Sequence, residues 1–246
     1  MCNRASKGTA VERRQFTESP SPTRQVNLAL LEAGAKFNRY EVDLINKPDW
    51  FVKQINPVGK VPALTYGGPN VPLDQPSPES VKLNESRVLL EFIVDLFPKA
   101  RLLPEDPVLR AKARFFSEVV LSRLFPAWHG YWAKGQPTEP IVAALEEMQA
   151  LLPPSGFAVG EWSIADAAAA SILARTEVIF EINHPINGWA ESENRKMLDL
   201  LDGPLFVRLK QYRLDLAARP AFKASFDKTV VKDFRALFDF LVQPKQ

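Results

Sequence analysis

Cysteine is almost missing from this chain: its 246 residues include one, Cys2. A single thiol excludes an intrachain disulfide framework and any cysteine-ligated metal site within one chain. Histidine is nearly as scarce, with only His129 and His184, so a multi-histidine metal centre is not expected either. No apolar run approaches the length of a membrane-spanning helix, and residues 1–12 lack the apolar centre of a signal peptide. A surplus of either charge is also missing. Lys and Arg total 31 against 29 Asp and Glu, a formal net charge of +2, and the two signs are interleaved. That balance argues against a dedicated nucleic-acid surface. The expectation is a cytoplasmic protein with neither nucleic acid nor membrane as partner.

What is present is a change of character partway along. Residues 1–12 are polar and mixed, and read as a flexible leader. From 13 to 98 the chain alternates short strand-like and helix-like pieces. RRQFT (13–17) is a weak strand; TRQVNLALLEAG (23–34) is a helix with Val26, Ala29, Leu30 and Ala33 on one face and Gly34 as its stop. YEVDLI (40–45) reads as a strand and KPDWFVKQ (47–54) as a short helical piece. PALTY (62–66) and SVKL (80–83) are two more strands, and SRVLLEFIVDLF (86–97) is a helix closed by Pro98. The order is βαβαββα, one small sheet with helices against it. GGPNVPLDQPSPES (67–80) has no room for a helix and reads as a surface loop.

Residues 99–106 look like a linker, and 107–246 like an all-helical domain. Asp106 and Pro107 form a helix start. Ser163-x-x-Asp166 resembles a capping box with Asp in place of the usual Glu. FDKTVVKDFRALFDFLV (226–242) carries apolar residues, Phe234 among them, at helical spacing. RLFPAWHGYW (123–132) gathers Phe125, Trp128, His129, Tyr131 and Trp132 around Pro126, which should end or bend its helix.

INPVGKVPALTY (55–66) places two prolines and a glycine around an apolar run. Proline donates nothing to a sheet, so Val61-Pro62 is either a tight turn into a strand or a strand end left open to pair with an extended ligand. Glu85-Ser86 sits where a strand meets a helix. Ser86 suits an N-cap, and a helix start attracts a carboxylate while Glu85 supplies the opposite sign for an ammonium group; the pair reads equally as an ordinary capped helix beside a solvated glutamate.

Three stretches, INKPDWFVKQINPVGKVPAL, NESRVLLEFIVDLFP and LLPEDPVLRAKARFF, resemble the glutathione transferases, most closely the omega class in its fungal form. The resemblance covers nearly the whole chain beyond the leader. It implies an α/β thioredoxin-like N-terminal domain plus an all-α C-terminal domain, a homodimer, and glutathione as co-substrate. In that frame Lys47 pairs with the glycine carboxylate of glutathione. Val61, before a cis Pro62, pairs with its cysteinyl backbone, and Glu85 and Ser86 receive its γ-glutamyl end. Trp50 and Phe51 pack the short helix onto the sheet. A second, hydrophobic substrate would lie between the domains, near Phe125, Trp128, Tyr131 and Phe234.

The chain departs from the omega pattern at the nucleophile. That class has Cys-Pro at the start of the first helix, whereas TESPSPTRQV (17–26) has no cysteine. Ser21, followed by Pro22 and the helix, is the favoured catalytic position and Ser19 the alternative; both serines could equally be plain helix caps. A serine cannot form a mixed disulfide, but it can donate a hydrogen bond to a thiolate. The expected activity is conjugation of glutathione to hydrophobic electrophiles or reduction of peroxides. The alternatives are a carrier of aromatic ligands with little turnover, and a scaffold without glutathione chemistry.

Overall fold

The computed structural model of the chain describes residues 8–11, 21–43, 46–182 and 191–226. Contacts divide it into two units, 1–100 and 101–246.

In the first unit a four-stranded sheet has the order β2-β1-β3-β4, with strands β1 (Gly8–Val11), β2 (Phe37–Tyr40), β3 (Ala63–Tyr66) and β4 (Val81–Asn84). β1 is parallel to β2, with Val11 opposite Tyr40, and antiparallel to β3, with Val11 opposite Ala63. β3 and β4 form an antiparallel pair in which Ala63 faces Asn84. Helices α1 (Ser21–Glu32) and α2 (Ser86–Leu96) pack on each other. The order is the expected βαβαββα, with a helical turn at Phe51–Ile55 between β2 and β3. Two strands do not follow the expected limits. β1 falls inside the presumed leader, and the strand expected at 13–17 lies outside the described residues. It is a central strand held by ladders on both edges, and its run GTAV has no bulky residue to announce it. β2 ends at Tyr40 instead of starting there, because its one partner, β1, stops at Val11. Val42, which suggested a strand, is fully buried beyond the ladder with Phe51, Ile55 and Ala63.

α1 departs from a simple amphipathic stripe. Every residue from Thr23 to Leu30 is buried, including Thr23, Arg24, Gln25 and Asn27. Its end is the expected one. Gly34 adopts φ +62°, and the N–H groups of Gly34 and Ala35 donate to Leu31 and Leu30 carbonyls, a Schellman closure. Loop 67–80 is tied internally: Lys82 Nζ donates to the carbonyls of Ser77 and Ser80, and Ser80 Oγ donates to Ser77 O at 2.8 Å.

The second unit is helical: α3 (Pro107–Val119), α4 (Phe125–Lys134), α5 (Glu139–Leu151), α6 (Ile164–Ile182), α7 (Glu191–Asp202), α8 (Val207–Ala218) and α9 (Pro220–Ser225). Asp106 caps α3 as expected, accepting from the N–H groups of Val108 at 2.7 Å and Leu109 at 2.9 Å. The stretch read as a linker is partly core, since Leu102 and Leu103 are buried and Leu102 O accepts from Ile164 N–H at 2.9 Å. Pro126 does not end the helix. A π turn at Val120–Leu124 joins α3 to α4, with Phe125 N–H donating to Val120 O, so the wider turn absorbs the ring that an α-helix would not. Phe234 lies outside the described residues.

α6 is apolar almost all round, as a central helix must be. Its start holds one buried carboxylate. Asp166 accepts from Ala158 N–H (2.8 Å), Ser163 N–H (2.8 Å), Ser163 Oγ (3.1 Å) and Tyr212 Oη (2.7 Å). The capping box is thus present, and it extends to α8. Burial pushes this carboxyl above its ordinary range, while the four donors draw it back toward the ionised form. Asp166→Asn should destabilise the protein by about 2–4 kcal/mol, because the amide turns a donor toward donors. Tyr212→Phe should cost about 1–3 kcal/mol. Urea unfolding measures both, and unmoved midpoints would show that the network is dispensable.

Candidate functional site

Strand register assembles the site. Because Ala63 faces Asn84, the residues just before β3 and just after β4 emerge side by side at one end of the sheet. These are Val61, Pro62, Glu85 and Ser86. The C-terminal end of β1 arrives there too, since Val11 also faces Ala63.

The approach to β3 is a turn organised by Asn56, which is 2% exposed. Its Nδ2 donates to Lys60 O at 2.8 Å, its Oδ1 accepts from Val58 N–H at 3.2 Å, and its carbonyl accepts from Gly59 N–H at 2.8 Å. Gly59 takes φ +67°, and a methyl placed there would sit 3.3 Å from Lys47 Cδ. The exposed Lys47 therefore lies across the glycine, which brings its ammonium beside the turn into Val61. The Val61-Pro62 peptide is cis. Val61 packs on the Val42, Phe51, Ile55 and Ala63 cluster. Among the described residues its main chain makes no hydrogen bond outside helices and strands. Trp50 packs edge-on against Tyr40, with ring centroids 5.1 Å apart, and Phe51 is fully buried, so both anchor the helical turn as expected.

On the other side of the pair, Glu85 holds the N-cap position of α2, and Ser86 is the first helical residue rather than the cap. Glu85 is exposed, has φ 69° and makes no side-chain bond to the first turn. The helix start is left without a side-chain cap, which suits an anion. Ser86 is half-buried, and its Oγ accepts from Nε2 of Gln25 on α1 at 3.3 Å. Sequence reasoning missed Gln25 and Asn56. Both are ordinary polar residues whose burial is visible only once the chain is folded.

Ser21 is the first residue of α1, and Ser19 lies outside the described residues. Of the aromatic cluster, Trp128 and Tyr131 are each 1% exposed and belong to the core of the helical unit, not to an open surface. Phe125 stacks on Trp128 at 5.9 Å and stays half-exposed, as does His129. The Arg175 guanidinium lies 5.8 Å from the centre of the Trp128 ring. Burial and the nearby Lys134 hold the His129 imidazole below its ordinary range. No helix among the described residues is long and apolar enough to cross a membrane.

The family described as "Glutathione S-transferase, N-terminal domain" matches residues 20–96. Glutathione transferase Omega 1C from Trametes versicolor is 44% identical, with a TM-score of 0.90 over 96% of this chain and 98% of that one. Glutathione transferase Omega 2S from the same organism, solved in complex with 2,4-dihydroxybenzophenone, is 40% identical, with a TM-score of 0.86 over 94% and 98%. Glutathione S-transferase U19 from Arabidopsis thaliana is 34% identical over 118 residues, which are 47% of this chain and 48% of that protein. The chain spans about half the length of the curated relatives it matches.

The backbone of Glu85 yields a stability test that needs no ligand. A non-glycine residue at positive φ costs of order 1 kcal/mol, which glycine relieves. Glu85→Gly should therefore raise the free energy of unfolding by about 0.5–1 kcal/mol in denaturant titration. A lower value would mean that the carboxylate contributes more to the fold than its exposed position indicates.

Proposed function

The chain belongs to the glutathione transferase family, and on that premise we propose that it binds glutathione at this end of the sheet and activates the thiol with a serine at the start of α1. The juxtaposition of a Val61 main chain unpaired among the described residues with a helix start at Ser86 that has no side-chain cap carries the reading. An extended tripeptide laid across that end would pair its cysteinyl N–H and C=O with Val61, beside Pro62. Its γ-glutamyl carboxylate would meet the first turn of α2 and Ser86, its ammonium Glu85, and its glycine carboxylate Lys47.

The chemistry expected of a serine can be sized. With an ordinary thiol pKa near 8.5, only about 3% of glutathione is ionised at pH 7. Lowering that pKa by about 2 requires about 2.7 kcal/mol of preference for the thiolate. A helix start supplies roughly 0.3–1 kcal/mol, and a hydrogen bond to a charged atom roughly 1.5–3 kcal/mol. The dipole alone falls short; with the serine it suffices. The thiolate then attacks an electrophilic carbon, forming the C–S bond as the leaving group departs with its electron pair. Against a peroxide it attacks one oxygen, the O–O bond breaks and the other oxygen leaves as an alcohol; a second glutathione thiol then attacks the resulting sulfenic sulfur, releasing water and forming the disulfide. The expected setting is cytoplasmic.

A second reading, a carrier of aromatic ligands with little turnover, draws support from the benzophenone complex of the Trametes Omega 2S relative and from the Phe125 and His129 edges of the α4 cluster. Dye binding without conjugation would favour it.

Variants at the helix start separate the readings. The wild-type protein, whose one cysteine is Cys2, should catalyse little exchange between glutathione and disulfides. Ser21→Cys should gain that activity. Ser21→Ala should lower kcat/KM for conjugation by about tenfold or more and raise the apparent pKa of bound glutathione by about 1–2. If Ser19 is the active position, these results appear there and not at Ser21. Should neither position respond, serine activation is wrong and the carrier reading takes its place. The Glu85→Gly variant, though folded, should lose retention on immobilised glutathione.

A homodimer is proposed as well, on family grounds, with the N-terminal unit of one subunit against the helical unit of the other. Light scattering at micromolar concentration should give about twice the 27.6 kDa chain mass; a monomer would refute it.

A further inference from the structure

Gln25 is fully buried on α1, and its amide is only half used. Nε2 donates to Ser86 Oγ, while Oε1 has no hydrogen-bond partner among the described residues. Burying an unpartnered amide oxygen destabilises the fold, and a leucine of similar size would avoid that cost. Packing therefore does not account for a glutamine here, and the one bond it makes points at the start of α2.

A serine hydroxyl has one proton and two lone pairs. With Nε2 donating to it, the Ser86 oxygen is an acceptor on its α1 side, so its own proton turns away from Gln25. The N–H groups of the first turn of α2 are donors and cannot take that proton. Among the described residues Ser86 Oγ donates to nothing. No described residue takes that proton, so it is open to an incoming ligand, and the uncapped helix start favours an anionic one. A donor on the far side of the oxygen also polarises the O–H and strengthens its donation.

We propose that Gln25 is a positioning residue for the γ-glutamyl carboxylate of glutathione: it aims the Ser86 hydroxyl at that carboxylate without touching it. The inference rests on the preceding reading that the carboxylate lies at Ser86. It reaches further by giving a buried α1 residue a share in recognising one end of the ligand.

The test is direct binding of two ligands by calorimetry: glutathione, and an analogue whose γ-glutamyl α-carboxylate is replaced by hydrogen. Gln25→Leu should weaken glutathione binding by about three- to tenfold and leave binding of the analogue unchanged. In a Ser86→Ala background it should weaken neither further. A merely structural role would weaken both ligands alike and would persist in that background. Gln25→Met serves as a second isosteric variant if Gln25→Leu folds poorly. If Ser86→Ala weakens glutathione binding while neither Gln25 variant does, the inference fails alone. If Ser86→Ala has no effect, the placement of the carboxylate fails, and the role of Gln25 fails with it.

Discussion

The pairing of Ala63 with Asn84 is the constraint on which the candidate site depends. Side chains on a strand alternate faces, so a one-residue slip would turn Leu64 out of the core and carry the Val61 main chain away from the start of α2. The buried cluster of Val42, Phe51, Ile55 and Ala63 holds the register from one side, and the buried Leu64 holds it within the strand. The polar residues of the site are thus placed by apolar contacts a residue or two away, and they spend little of their own hydrogen-bonding capacity on the fold. Val61, Glu85 and the first turn of α2 are left with backbone groups to offer, as a binding surface requires.

Asp166 has the corresponding part in the helical unit, by opposite means. There a charge-capable group is fully committed: four donors, from Ala158 and Ser163 before α6 and from Tyr212 on α8, converge on one carboxylate. The sheet end keeps its polar groups open, while the start of α6 closes them off. The same chemical device, a helix N-terminus, can therefore be structural or receptive, depending on whether the chain supplies its own acceptor.

Much of this was legible in the sequence. Helix limits came through because they are signalled locally, by Gly34 at the end of α1 and by Asp106 with Pro107 at the start of α3. Strand limits did not, because a strand's extent belongs to its partners. β1 hid in a polar run because both of its edges are paired and its small residues carry no periodic signal. β2 was placed late because Val42 is apolar for the core rather than for the ladder. Candidate site residues that touch solvent, such as Lys47 and Glu85, could be picked out by type and position. Gln25 and Asn56 could not, since nothing in the sequence distinguishes a buried amide from an exposed one. Trp128 and Tyr131 show the converse: an aromatic run suggested a pocket, and burial made both residues core.

The π turn before Pro126 also bears on how such a chain can change over generations. Its buried positions Phe116, Val120, Leu124 and Trp128 are each four apart, and in an uninterrupted α-helix that spacing drifts by about 40° per step. The wider turn winds more slowly and brings the stripe back into line, so the extra residue and the proline are accommodated together. Losing one residue while the wide turn persists would rotate everything after it by roughly 100°, swinging Trp128 and Tyr131 out of the interior; only a loss that also returns the turn to regular helix would leave them in place. Length in this segment is therefore inherited as a unit with the aromatic residues that follow, whereas the surface loop between β3 and β4 is free to grow or shrink.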